Sequence, residues 1–132
     1  MRDFLRVMEE FPAVPYNAVR GNCDICTLSP AERDNIPTVD IAEVSGVRFM
    51  LMHGHSHDVK STYEHAADYA IASHAEILLF GHTHRQEDIR IDGSLGGRVR
   101  MINPGALSSK FEPSYALLNI HAGQVLCGFG TP

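Results

Sequence analysis

The alternation of apolar and polar positions divides the chain into a helix at each of two places and a succession of short strands. Phe4, Leu5, Val7, Met8 and Phe11 recur at helical spacing opposite Arg2, Arg6, Glu9 and Glu10, which predicts an amphipathic helix over Arg2–Phe11, stopped by Pro12 and Pro15. Asn17–Arg20 reads as a short strand running into Gly21, and the polar, proline-bearing stretch Thr27–Pro37 reads as a surface loop. Val39–Val44, the Ser45-Gly46 turn and Val47–Met52 predict a β-hairpin. Ser61-Thr62-Tyr63-Glu64 matches a capping box ahead of a helix running to about Ser73 through Ala66, Ala67, Ala70 and Ile71. The nearly continuous apolar run Glu76–Phe80 fits a strand covered on both faces. Asp88–Ile91, Val99–Ile102, Tyr115–Ile120 and Val125–Phe129 make the second half strand-rich. No linker, repeat or low-complexity stretch divides the chain, so one α/β domain over 1–132 is expected.

Composition narrows the function more than the fold. The 132 residues are 44% apolar, with 20% charged residues and a formal charge of −5. This balance argues against a disordered chain, and Arg85, Arg90, Arg98, Arg100 and Lys110 are dispersed among acids rather than massed as a nucleic-acid surface. No apolar stretch approaches the length of a membrane span, and three cysteines do not make a secreted disulfide framework. A reducing cytoplasm is the expected location. Histidine is the unusual component: there are eight, all but His121 falling from His53 to His84.

Gly21-Asn22-Cys23-Asp24, His53-Gly54-His55 and Gly81-His82-Thr83-His84 each follow the end of an expected strand. Side chains from separate strands converge at such ends in α/β proteins. One His-x-His pair is a weak signal, but two flanking or following glycine at strand ends point to a metal site, since imidazole nitrogen and an Asn amide oxygen suit several transition metals. His57, His65, His74 and His121 need no such role; solvated or structural positions suffice. Cys23-x-x-Cys26 fits a zinc ribbon poorly, because only Cys127 is left to complete it. It fits a thioredoxin-type redox motif poorly too, because a polar loop with Pro30 follows.

These motifs, with Val59-Lys60 and Asn103-Pro104-Gly105, resemble the calcineurin-like metallophosphoesterase superfamily, and within it the small bacterial and archaeal phosphodiesterases. The resemblance covers nearly the whole chain, and Gly-His-Thr-His is its most specific part. It implies an α/β/β/α sandwich with a metal site at the strand ends, and phosphodiester hydrolysis by metal-activated water. It places Asn22, His53 and His82 on one metal and His84 on a second, drawn from Mn, Zn, Ni or Fe. Asp24 would either support the ligands from behind or face the substrate, and Cys23, Asp24 and His55 form the expected catalytic set. Cys23 stands where many relatives carry a histidine that assists the leaving group, and Asn103–Gly105 would form a rim loop, with Ala106 in place of a common serine.

The family pattern opens with Asp-x-His and Gly-Asp, and neither precedes Gly21 here. The expectation is therefore an N-terminally truncated version of the fold, short of one βαβ unit and its carboxylates. Two divalent ions about 3.5–4 Å apart repel without a bridging carboxylate, so this chain alone is expected to hold one metal, at Asn22, His53 and His82, or none firmly. The absent strands are expected to be central to the sheet, leaving edges for a second copy or a partner chain to cover. Three functions remain open: a metal-dependent phosphodiesterase acting on a small phosphodiester, a catalytically impaired protein-interaction scaffold of the same fold, or a portion of a longer protein.

Overall fold

The structure, a computed structural model, describes residues 1–108 and 112–132; Lys110 lies outside the described residues. Helix α1 spans Arg2–Glu10 and α2 spans Pro30–Asn35. Strands β1 (Val39–Val44) and β2 (Val47–Met52) precede α3 (Glu64–Ala72) and β3 (Ile77–Leu79). Strands β4 (Gln86–Asp92), β5 (Arg98–Pro104), β6 (Tyr115–His121) and β7 (Gln124–Gly130) complete the chain.

Five strands form one sheet in the order β1-β2-β3-β5-β4, and β6-β7 form a second. The β1–β2 hairpin closes as expected, with Val44 opposite Val47. Ser45 and Gly46 both take positive φ, 51° and 79°, as a two-residue turn matched to strand twist requires. β2, β3 and β5 run parallel to one another, while β1 and β4 are antiparallel edge strands.

Both faces of the five-stranded sheet are covered. Met50, Met52, Leu78, Val99 and Met101 pack with α3, whose Ala66, Ala67 and Ala70 are fully buried. These small side chains let the helix lie close on the sheet. Val47, Phe49, Ile77 and Ile102 on the opposite face meet Leu118, Ile120, Val125 and Cys127 of the β6–β7 hairpin. Burying such side chains contributes roughly 1.5–3 kcal/mol each before the entropy of ordering is subtracted. Arg100 joins the layers: it donates to Asp88 on β4 at 2.7 and 2.6 Å and to the Val125 carbonyl on β7 at 2.5 Å.

Several local expectations are overturned. Asn17–Arg20 is not a strand, because no neighbour presents a ladder to it; the Arg20 N–H goes to the Pro37 carbonyl at 2.9 Å. The expected loop Thr27–Pro37 contains α2, started by a capping box in which Ser29 accepts from the Glu32 N–H and Glu32 accepts from the Ser29 N–H. The box expected at Ser61 does not form. The Ser61 hydroxyl donates to Asp58, and α3 starts after Tyr63 without a side-chain cap. Helix α1 forms as expected, yet none of its residues is buried. The five-stranded sheet is continuous through β2, β3 and β5, and among the described residues the strands of the small β6–β7 sheet pair only with each other.

Candidate metal centre at the parallel strand ends

Parallel β2, β3 and β5 bring their carboxyl ends to one rim, and the loop after each carries the candidate chemistry. His53-Gly54-His55 follows β2, Gly81-His82-Thr83-His84 follows β3, and Asn103-Pro104-Gly105 closes β5. The Gly81 N–H donates to the His53 carbonyl at 3.1 Å, which fixes the first two loops side by side.

Three imidazoles meet there. The Nδ1 atoms of His53 and His55 are 3.2 Å apart, so one donates to the other. The ring centroids of His53 and His82 are separated by 4.8 Å, and those of His55 and His82 by 6.3 Å. His84 is exposed and makes no ring contact with the other three among the described residues, although its charge is felt by His53 and His82. Both His82 and His84 sit in left-handed backbone, with φ of 69° and 59°. Such conformations are uncommon for side chains larger than glycine and concentrate at functional sites.

Gly21 comes to His53 from outside the sheet rather than from a strand end. A Cβ at Gly21 would stand 2.7 Å from His53 Cδ2, so only glycine lets this turn reach the ring. Asn22 is exposed beside it, its amide donating to Cys23 Sγ at 3.5 Å. Asp24 points back into its own turn: one carboxylate oxygen accepts from the Gly21 N–H at 2.7 Å and the other pairs with the Met1 amino group at 3.4 Å. The structure thus brings His53, His55 and His82 together, with Gly21–Asp24 alongside and His84 at the margin.

Burial, then the neighbouring charges of His82 and His55, pushes the His53 imidazole down to about 4, with Asp24 opposing weakly. His82 is lowered as well, first by burial and then by Lys60, His55 and His84. Both rings are therefore neutral near pH 7, the state in which imidazole binds metal.

The donor types fit a divalent transition ion, but the arrangement is open. Among the described residues no group of three or more His, Cys, Asp or Glu side chains is set to hold an ion. The Asp24 carboxylate is committed to its turn. The imidazole nitrogens and the Asn22 amide oxygen are donor types that suit a divalent transition ion.

Asn103 was expected at the rim and lies beneath it instead. It is fully buried, its amide donating to the Gly81 carbonyl at 3.2 Å and to Thr83 Oγ1 at 2.9 Å, while its oxygen accepts from the Gly105 N–H at 3.0 Å. Sequence reasoning also missed the cleft of about 310 Å³ lined by Val59, Lys60, Tyr63, Thr83, Arg85 and Glu87. Val59, Lys60 and Thr83 belong to the quoted motifs, but Tyr63, Arg85 and Glu87 carry no signal that joins them to one cleft. A larger cleft, about 560 Å³, lies at the opposite strand ends around Val47, Ile77 and Arg100. His57 stacks on Tyr69, and His65, His74 and His121 are exposed, which agrees with structural or solvated positions for all four.

The layered α/β fold, with histidines crowded at the ends of its parallel strands, is of the phosphoesterase type. The chain belongs to the calcineurin-like phosphoesterase superfamily, whose domain model matches residues 2–123. Members of this family typically bind divalent metals.

The chain is 33% identical over 94 residues to a probable metallophosphoesterase of Mycoplasma pneumoniae, covering 66% of this chain and 56% of that protein. It is 31% identical over 111 residues to one of Bacillus subtilis, covering 80% and 57%. It thus spans little more than half the length of these curated relatives. A solution structure of a Thermotoga maritima protein matches 98% of this chain and 73% of its own length, at 28% identity and TM-score 0.68. Vps29 of Entamoeba histolytica, solved with zinc, shares the fold at 23% identity and TM-score 0.61, covering 86% of this chain and 67% of its own.

Proposed function

We propose that this chain carries the histidine half of a metal-dependent phosphodiesterase site and, as a protein, serves phosphodiester hydrolysis on a small-molecule substrate. The observation that carries the reading is the meeting of His53, His55 and His82 at one rim, with His82 and His84 held in left-handed backbone. Asn22, His53 and His82 would hold one ion, with His84 able to join. A bound divalent ion supplies water activation and charge neutralisation at phosphorus. His55, hydrogen-bonded to His53, is placed to orient the phosphoryl group and to exchange a proton with it. The Cys23 thiol and the Asp24 turn flank this position. Manganese is the first metal to test, and the cytoplasm is the compartment the reading assumes.

The test is hydrolysis of an activated phosphodiester by the purified chain, with and without Mn²⁺, alongside His53→Ala and His82→Ala. Metal-dependent turnover that falls at least about 100-fold in both variants is expected. Turnover absent with every metal tried would overturn autonomous catalysis. One observation favours the scaffold reading instead: no three-ligand His, Cys, Asp or Glu group is preformed among the described residues. A stable complex with a second polypeptide, formed equally well by His53→Ala, would support that alternative.

A further inference from the structure

Cys23 and Cys26 have no joint part in the site described above, yet their placement is specific. Both are free and exposed on the turn that carries Asn22. Cys23 caps a single 3₁₀ turn, Asp24–Cys26, with helical backbone of its own (φ −82°, ψ −17°). The Cys26 N–H donates to the Cys23 carbonyl at 3.4 Å, and the Thr27 N–H to that of Asp24 at 3.0 Å. Side chains three apart on such a turn eclipse, and a rise of about 2 Å per residue sets the two Cα atoms about 6 Å apart. That separation lies inside the span a disulfide bridges. Cys127 is remote from this chemistry, half-buried opposite Leu118 on the inner face of the hairpin.

The sulfur of Cys23 also has a neighbour that matters. It accepts the Asn22 amide at 3.5 Å, and on the far side of Asn22 the Gly21 backbone lies against His53. Moving that sulfur would remove this contact of the Asn22 amide.

We propose that Cys23 and Cys26 form a reversible intramolecular disulfide that repositions Asn22 at the edge of the histidine cluster. The oxidant is a small-molecule disulfide of the oxidised-glutathione class. One protein sulfur attacks it, breaking its S–S bond and releasing one glutathione thiol. The second protein sulfur then attacks the mixed disulfide and releases the other. The two protein thiols lose two electrons and two protons, which appear on the two glutathione thiols. An exposed bridge over so short a loop gains little from loop closure, so it opens again when the thiol pool is reducing. The link from this bridge to metal affinity rests on the proposed metal-binding reading; the bridge itself does not.

The full chain is equilibrated in glutathione buffers of increasing oxidation, alkylated, and analysed by peptide mass. Binding of Mn²⁺ is followed in parallel by the electron paramagnetic signal of the free ion. An internal Cys23–Cys26 bridge is expected, with Cys127 alkylated throughout and no internal bridge in Cys26→Ser. Oxidation should weaken Mn²⁺ binding about tenfold in the wild type and leave Cys26→Ser unchanged. Both cysteines remaining alkylatable at every ratio, or an equal loss of binding in Cys26→Ser, would overturn the switch. A bridged chain whose reduced form binds no Mn²⁺ would overturn the metal reading and the coupling, while the disulfide would stand.

Discussion

Asn103 joins the loop after β3 to the turn after β5 through three hydrogen bonds, and it does so with no exposure to solvent. Replacing it by leucine keeps the branched outline and disturbs three partners: the Gly81 carbonyl retains only the Thr83 N–H at 2.8 Å, while the Thr83 hydroxyl and the Gly105 N–H lose Asn103 altogether. A buried polar group left unpaired costs about 1–3 kcal/mol, and these three relax together. The expected loss for Asn103→Leu is therefore about 2–4 kcal/mol, read from the urea midpoint. This role was not legible in the sequence, since an Asn-Pro-Gly tripeptide reads as an exposed turn. The histidines were legible because glycine beside imidazole recurs at two strand ends. How closely the rings approach, and that Asp24 turns back on Gly21, depends on packing that no local pattern encodes.

At the scale of elements, hydrophobic alternation located β1 and β2 to the residue, because pairing and the Ser45-Gly46 turn are both local. The same reading failed for Asn17–Arg20, where Ala18 and Val19 meet no pairing strand among the described residues. Helix α2 was readable and was missed: Ser29-Pro30-Ala31-Glu32 carries a cap, a first-turn proline and a reciprocal glutamate. The tie between β4, β5 and β7 is electrostatic, and it gives a pH prediction. Hydrogen bonds from Arg100 hold the Asp88 carboxyl below its ordinary value of 3.8. A lowered carboxylate stabilises the fold fully above that ordinary value and loses its contribution as pH falls below it. The wild-type urea midpoint should thus drop below about pH 4 more steeply than that of Arg100→Met. At neutral pH the variant should be less stable by about 1–2 kcal/mol, the partial exposure of the pair tempering the loss.

For the molecule as a whole, the unequal sheets matter most. The five-stranded sheet is covered on both faces, whereas the outer face of β6–β7 presents Leu117 and Leu126 at 68% and 70% exposure. Among the described residues, each strand of that hairpin also keeps one unpaired edge. A second copy of the chain covering this face is the expected arrangement at high concentration. Sedimentation should then show association that depends on concentration and is abolished by Leu117→Lys with Leu126→Lys.

The left-handed backbone at His82 and His84 has a wider consequence. Each such residue holds a conformation about 1–2 kcal/mol less favourable than the helical or extended alternatives, a difference that glycine would largely erase. Selection for thermal robustness alone would favour glycine at both positions. The loop between β3 and β4 therefore stands as a place where durability and chemistry pull in opposite directions, and where a consensus-stabilised descendant would be the first to fall silent.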